Sequence, residues 1–262
     1  MIPKTIHYCW FGKNDKPDII KSCIQSWKKH CPDWEIIEWN EDNFDVTAIP
    51  YMKEAYEQKK WAFVSDVARL LIVYQSGGVY LDTDVELSEP LDEWIKHDAF
   101  FAFESNRNVS SGIGFGAIKN HIAVKAMLDF YEGKHFVINN KIKMTPCPAG
   151  NTEALVKTYE CFRRDGTTQE FNEVLILSCS DYSRKALHYG TGTWIDNFEK
   201  RTTPYKETKL KLILRNYKVF EFMDKHFGKR VVAAYTFIAY DLLEMGIAYY
   251  FKRILLKFKH RN

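Results

Sequence analysis

Between residues 52 and 81 a dense apolar set (Trp61, Phe63, Val64, Val67, Leu70, Leu71, Val73, Tyr74) runs into Gly77-Gly78 and then Val79-Tyr80-Leu81. Helix-forming residues, a double glycine able to adopt the left-handed stop, and a strand-like triplet in so short a span read as a helix, its stop and a strand. The pattern predicts a helix over 52–75 and a strand over 79–81. Directly after it stands Asp82-Thr83-Asp84. Alternation along an extended chain would turn Tyr80, Asp82 and Asp84 to one side and Val79, Leu81 and Val85 to the other.

The flanking sequence repeats the alternation of elements. Residues 2–11 read as a short apolar and aromatic strand, 12–17 as a loop, 18–27 as a helix and 34–39 as a second strand. Strand, helix and strand within about forty residues suggest a βαβ unit, an α/β class and a parallel sheet. Further on, 100–103 reads as a strand, 112–117 as a strand or glycine-rich loop, and 121–131 as a helix. The 262 residues, 46% hydrophobic and 15% aromatic, exclude a disordered chain and suffice for one domain with an appendage.

Two carboxylates two residues apart at a strand end repel one another and lose hydration unless a cation or hydrogen-bond donors compensate. A hard divalent cation, Mn²⁺ or Mg²⁺, is the natural partner, and such ions typically share protein carboxylates with substrate phosphates. The alternative is a solvated turn of no chemical consequence. One helix earlier, Asp66 and Arg69 stand three residues apart within Ala62-Phe63-Val64-Ser65 and Val67-Ala68, so they share a helix face. They read either as a structural ion pair or as a polar cluster meeting hydroxyls and phosphate oxygens.

Six cysteines (Cys9, Cys23, Cys31, Cys147, Cys161, Cys179) include no CxxC pair, so the expectation is buried free thiols rather than zinc or disulfides. The first residues lack the pattern of a signal peptide, which points to the cytoplasm. Residues 205–262 hold 13 Lys and Arg against 5 Asp and Glu, whereas residues 1–204 hold 24 against 29. A catalytic region over 1–204 and a basic, amphipathic helical region over 205–262 are therefore expected. Asp241 and Glu244 interrupt its apolar stretch, which suits a helix lying on the inner face of a membrane, or docked on the body, better than one spanning a bilayer. No recognition motif accompanies the charge, so nucleic acid is not expected as a partner.

The stretch Ala62-Phe63-Val64-Ser65-Asp66-Val67-Ala68-Arg69, followed by Gly77-Gly78-Val79-Tyr80-Leu81-Asp82-Thr83-Asp84, resembles the signature of glycosyltransferase family 32, the DXD-containing sugar transferases. The opening Ile2-Pro3-Lys4-Thr5-Ile6-His7-Tyr8-Cys9-Trp10-Phe11-Gly12 resembles that family's first strand. The resemblance implies a GT-A, Rossmann-like nucleotide-sugar-binding fold with a C-terminal helical appendage, a UDP- or GDP-sugar donor and retaining transfer. By motif position, Trp10 is similar to the aromatic that stacks on the donor base. Ser65, Asp66 and Arg69 match positions holding sugar and phosphates, Asp82 the position near ribose and sugar, and Asp84 the metal ligand, with Tyr80 shaping the pocket wall. The catalytic set is thus Asp84, Arg69 and Asp66. His188-Tyr189-Gly190-Thr191-Gly192-Thr193-Trp194 resembles the segment that closes the donor site, with His188 completing a metal shell alongside Asp82 and Asp84, and Thr193 and Trp194 donating to phosphate.

Residues 144–153 and 104–115 are expected on the acceptor side. A glycan or lipid-linked oligosaccharide acceptor in capsular or surface polysaccharide assembly is the leading expectation. A toxin-like protein glucosyltransferase and a silent nucleotide-sugar-binding protein are the alternatives.

Overall fold

The computed structural model describes residues 1–104 and 107–190; Thr193, Trp194 and the basic 205–262 region lie outside them. In chain order the elements are β1 (Thr5–Cys9), α1 (Asp18–His30), β2 (Glu35–Trp39), α2 (Pro50–Glu57), α3 (Trp61–Ser76), β3 (Gly78–Tyr80), β4 (Val85–Leu87), β5 (Ala99–Ala102), β6 (Phe115–Ala117), α4 (Ile122–Asp129), β7 (Val137–Ile138), β8 (Lys141–Ile142), α5 (Cys147–Thr158), β9 (Gln169–Phe171), β10 (Val174–Leu177), α6 (Cys179–Ser183) and β11 (Ala186–His188). A central sheet runs β2-β1-β3-β6-β5-β10-β9, and β11 pairs separately with β4.

The βαβ unit forms as expected: β1 runs parallel to β2, pairing Ile6 with Ile36, and parallel to β3, pairing His7 with Tyr80. The sheet as a whole is mixed rather than parallel, because β6 enters antiparallel between β3 and β5 and β9 closes the far edge antiparallel to β10. An antiparallel strand needs no helical crossover, so β6 pairs directly with β5, which precedes it, without a helical connection.

The helix expected over 52–75 is two helices. Lys59 adopts φ 56°, its N–H donates to Tyr56 O at 2.9 Å, and the Lys60 N–H reaches back to Ala55 O at 2.9 Å. That is the hydrogen-bond pattern of a Schellman stop built without glycine. The second stop, at Gly77-Gly78, does use glycine. Gly77 has φ 69° and Gly78 φ 102°, and a Cβ on Gly78 would stand 2.7 Å from His7 Nε2. His7 is buried and fixed between two partners: Trp39 Nε1–H donates to its Nδ1 at 3.1 Å, so its Nε2–H faces the Gly77 carbonyl at 2.9 Å. Burial holds it neutral by lowering its pKa.

Both sheet faces are covered. On one face α2, α3, α4 and α5 pack with Phe101, Phe115 and Tyr80; on the other, Trp27 of α1 packs with Tyr8, Leu81, Val85 and Phe100. Trp27 is fully buried and donates its indole N–H to Val85 O at 2.7 Å. Burial of such side chains is worth roughly 1.5–3 kcal/mol each, so α1 pins the chain immediately after Asp84. Helix α3 is apolar nearly all round, which is why a charged pair on it is buried. The cysteine expectation holds for Cys9, Cys23, Cys31 and Cys147, but Cys161 is exposed and Cys179 half-buried. No helix among the described residues is long and apolar enough to cross a membrane.

Candidate active site

Parallel strands β1 and β3 end side by side, and ligands of open α/β sheets bind beyond such carboxyl ends. Trp10 follows β1 and Asp82-Thr83-Asp84 follows β3. The two acids lie on a turn rather than on the strand itself, closed by the Val85 N–H donating to Asp82 O at 3.0 Å. Strand alternation therefore places Tyr80 and Asp82 together, as expected, but the turn carries Asp84 toward β11.

On one side of the turn stands Arg69, 3% exposed along its side chain. Its Nη1–H donates to Asp82 Oδ1 at 3.1 Å, its Nη2–H to Asp66 Oδ1, and its Nε–H to Ser65 O at 3.0 Å. The guanidinium lies over the Tyr80 ring, 5.3 Å from its centroid, and the Tyr80 hydroxyl donates to the same Asp82 Oδ1 at 2.9 Å. All three faces of the guanidinium fork are thus engaged, a geometry that only arginine offers. With Oδ1 accepting twice, Asp82 keeps Oδ2 for a ligand. Burial pushes the Asp82 carboxyl up to about 6; Arg69 opposes the rise and Asp84 adds to it. Burial likewise raises Asp66 against the pull of Arg69.

On the other side, β11 pairs His188 with Val85 of β4, and the Tyr189 N–H donates to Asp84 O at 3.0 Å. This ladder sets His188 Nε2 at 3.2 Å from Asp84 Oδ1. Burial alone would lower the His188 pKa, but the Asp84 carboxylate, backed by Asp82, reverses this and lifts it to about 9. One ligand atom each from Asp82, Asp84 and His188 falls within 4.8 Å of the others. An octahedral ion with ligand bonds of about 2.1 Å spaces its ligands by roughly 3–4.2 Å. The His188–Asp84 separation of 3.2 Å already lies in that range, and the three groups together could hold a divalent cation after side-chain adjustment.

Residues 17–101 match the family model described as the glycosyltransferase sugar-binding region containing the DXD motif, and Asp82-Thr83-Asp84 is that motif. Over that stretch the chain is similar to DXD-motif glycosyltransferases. Over 128 residues it is 32% identical to inositol phosphoceramide mannosyltransferase 3 of Schizosaccharomyces pombe, covering 46% of this chain and 34% of that protein. Over 189 residues it is 25% identical to a mannosyl phosphorylinositol ceramide synthase of Saccharomyces cerevisiae, covering 70% of this chain and 49% of the relative. The chain thus spans between a third and a half of the length of these relatives. Among solved structures it is similar to the PaToxG glycosyltransferase, 18% identical, with a TM-score of 0.46 over 61% of this chain and 70% of that one. The sheet, mixed α/β with an acidic turn beyond β3, is of the α/β class expected from the sequence.

Of the residues expected to serve the glycosyltransferase site, Asp66, Arg69, Tyr80, Asp82, Asp84 and His188 come together. Trp10 is half-buried; its indole N–H donates to Asn14 O at 2.7 Å and the Lys16 ammonium lies 5.5 Å from its ring. Ser65 contributes its carbonyl to Arg69, while its hydroxyl turns back to Trp61 O at 3.0 Å.

Three neighbours were not singled out as site residues. Cys147, first residue of α5, lies beside Asp66, where its thiol helps to hold the Asp66 carboxyl down, and stays protonated because burial raises its pKa. Ser111 sits between Cys147 and the buried Asn151, whose amide donates to Ser111 Oγ at 2.9 Å. Gly112 runs past Arg69 and Asp82 so closely that a Cβ there would stand 3.1 Å from Arg69 Nη1 and 3.4 Å from Asp82 Oδ2. These residues fall inside the two segments expected to line the acceptor side, but nothing local in sequence marks them, because the contacts join chain positions thirty and more residues apart.

Proposed function

We propose that the chain is a metal-dependent retaining glycosyltransferase that moves a hexose from a UDP- or GDP-sugar to a glycan or lipid-linked acceptor. The observation that carries this reading is the convergence of Asp82, Asp84 and His188 within 4.8 Å beside the buried Arg69. A divalent cation there would neutralise the charge gathering on the departing nucleoside diphosphate. An imidazole ligand favours Mn²⁺ over Mg²⁺, which prefers oxygen donors and its own waters.

The remaining work belongs to the chain's own groups. Arg69, fixed by Ser65, Asp66 and Asp82, is a preorganised cation that needs no reorganisation as charge develops. Asp66, set by Arg69 and Cys147, and the free Oδ2 of Asp82 accept hydrogen bonds from donor hydroxyls. Trp10 offers a flat face to the base. Thr193 and Trp194 supply phosphate donors in this proposal. Transfer is same-face, the leaving diphosphate taking the acceptor's proton; trapping a glycosylated carboxylate on the enzyme by mass spectrometry would exclude it.

Relatives named for mannosyl transfer to inositol phosphoceramide support a mannosyl donor and a lipid-type acceptor over the capsular acceptor. Incubation with a panel of UDP- and GDP-sugars, with and without Mn²⁺, should show metal-dependent donor hydrolysis, and addition of inositol-containing sphingolipids should divert sugar to lipid. No hydrolysis with any donor would favour a silent sugar-nucleotide-binding protein.

A further inference from the structure

Few large hydrophobic side chains of the described residues are left in water, and three of the seven sit in one short segment. Ile138, Ile142 and Met144 are 42%, 43% and 51% exposed. Scattered singly such residues carry no meaning; clustered, they mark a contact surface. The segment is the β7–β8 hairpin, turned at Asn139-Asn140, both at positive φ (51° and 58°) as a two-residue hairpin turn requires. Val137 pairs with Ile142 and Ile138 with Lys141. Cross-strand partners share a face, so Ile138 and Ile142 lie on opposite faces.

A hairpin apolar on both faces cannot bury both against one flat protein surface. A lipid interface can receive both at once. Charge points the same way: residues 133–146 contain Lys134, Lys141 and Lys143 and no Asp or Glu. Lys141 and Lys143 are exposed, and among the described residues neither forms an ion pair. The tip is presented on a fixed base. Glu54 of α2 accepts from the Phe136 and Val137 N–H groups at 2.7 and 3.0 Å and meets His135 Nδ1 at 2.6 Å, and the Lys143 N–H donates to Phe136 O at 2.8 Å.

We propose that the β7–β8 hairpin is a membrane-docking element, placing Ile138, Ile142 and Met144 among lipid headgroups and Lys141 and Lys143 against anionic lipid phosphates. Met144 stands three positions before Cys147, which lies beside Asp66, and three residue steps span at most about 11 Å. Docking would therefore hold a membrane surface beside the site. The membrane contact stands without the transferase reading; only its use in presenting a lipid acceptor rests on that reading.

The full chain is mixed with vesicles of equal parts phosphatidylcholine and phosphatidylglycerol, or of phosphatidylcholine alone, and amide hydrogen exchange is followed across residues 136–144. Protection with the anionic vesicles is expected. In sedimentation with the same vesicles, Ile138→Ser/Ile142→Ser and Lys141→Glu/Lys143→Glu should each bind at least about tenfold more weakly, with unfolding transitions unchanged. Unaltered exchange at the hairpin, or vesicle binding by both variants as strong as the parent's, overturns the proposal. Protection that appears without vesicles and grows with protein concentration also overturns it, in favour of a second copy of the chain. Donor hydrolysis in lipid-free buffer, unchanged in both variants, reports separately on the transferase reading.

Discussion

His188 Nε2 lies 3.2 Å from Asp84 Oδ1, so in the metal-free protein a proton on the imidazole does part of the work of a cation. The His188 pKa of about 9 makes metal and proton competitors. Mn²⁺ affinity should therefore weaken as pH falls from 9, and more steeply below about 6 where Asp82 also protonates. The stability of the metal-free protein has the opposite slope. A histidine whose pKa is raised on folding stabilises the fold fully below its unfolded value near 6.5, and that contribution is lost as pH rises toward 9. Calorimetric Mn²⁺ titrations between pH 5.5 and 9 in buffers of different ionisation enthalpy should show proton release; pH-independent binding without it would exclude His188 as a ligand.

Asp84 and Asp82 should separate in their effects. Asp84, 7% exposed, faces His188 across the cation site, so Asp84→Asn should weaken Mn²⁺ binding and cut kcat/KM at least about a hundredfold in a protein that still folds. Asp82 also neutralises Arg69, so Asp82→Asn should weaken donor binding and metal binding together. Steady-state kinetics with varied Mn²⁺ and varied donor resolve the two.

Arg69 carries structure as well as chemistry. Arg69→Ala leaves the buried Asp66 and the half-buried Asp82 without their cation, and breaking a buried pair typically costs about 3–5 kcal/mol. Arg69→Lys keeps the charge, but a single ammonium cannot engage Ser65 O, Asp66 and Asp82 together. The lysine variant should fold and lose activity, whereas the alanine variant should unfold at markedly lower urea. Equal urea midpoints for the two would show that charge, not geometry, is what the core needs.

Gly78 shows why part of this fold could be read from sequence. Its left-handed backbone and its approach to His7 are consequences of a local pattern, a helix that must stop and a strand that must start within two residues. Gly78→Ala should cost about 1–3 kcal/mol for the backbone alone and more for the 2.7 Å encounter with His7, while Gly133→Ala, at φ 66° with nothing within 4 Å, should cost only the backbone share. Denaturant midpoints of the two variants make the comparison.

What sequence did not disclose is equally physical. The break at Lys59 uses a residue with no stop signature. The placement of β6 in the sheet depends on pairing with β3 and β5, distant in sequence. Asp84 left the side of Tyr80 because a turn, not a strand, carries it. The pairing of Asp66 with Arg69 was legible because helix periodicity is local; the thiol of Cys147 against Asp66 was not, since eighty residues intervene.

Gly112 offers the sharpest test of that non-local part. It has no special backbone angle, and no local pattern distinguishes it from the other glycines of residues 112–116. Its importance is the space it leaves: a side chain there would press on Arg69 Nη1 and on Asp82 Oδ2, the carboxylate oxygen left free for a ligand. Gly112→Ala should raise the donor KM severalfold as Arg69 shifts by tenths of an ångström, and Gly112→Val should abolish donor binding while leaving the unfolding transition within about 1 kcal/mol of the parent. If Gly112→Val binds UDP- and GDP-sugars as the parent does, the donor does not occupy the space between Gly112, Arg69 and Asp82.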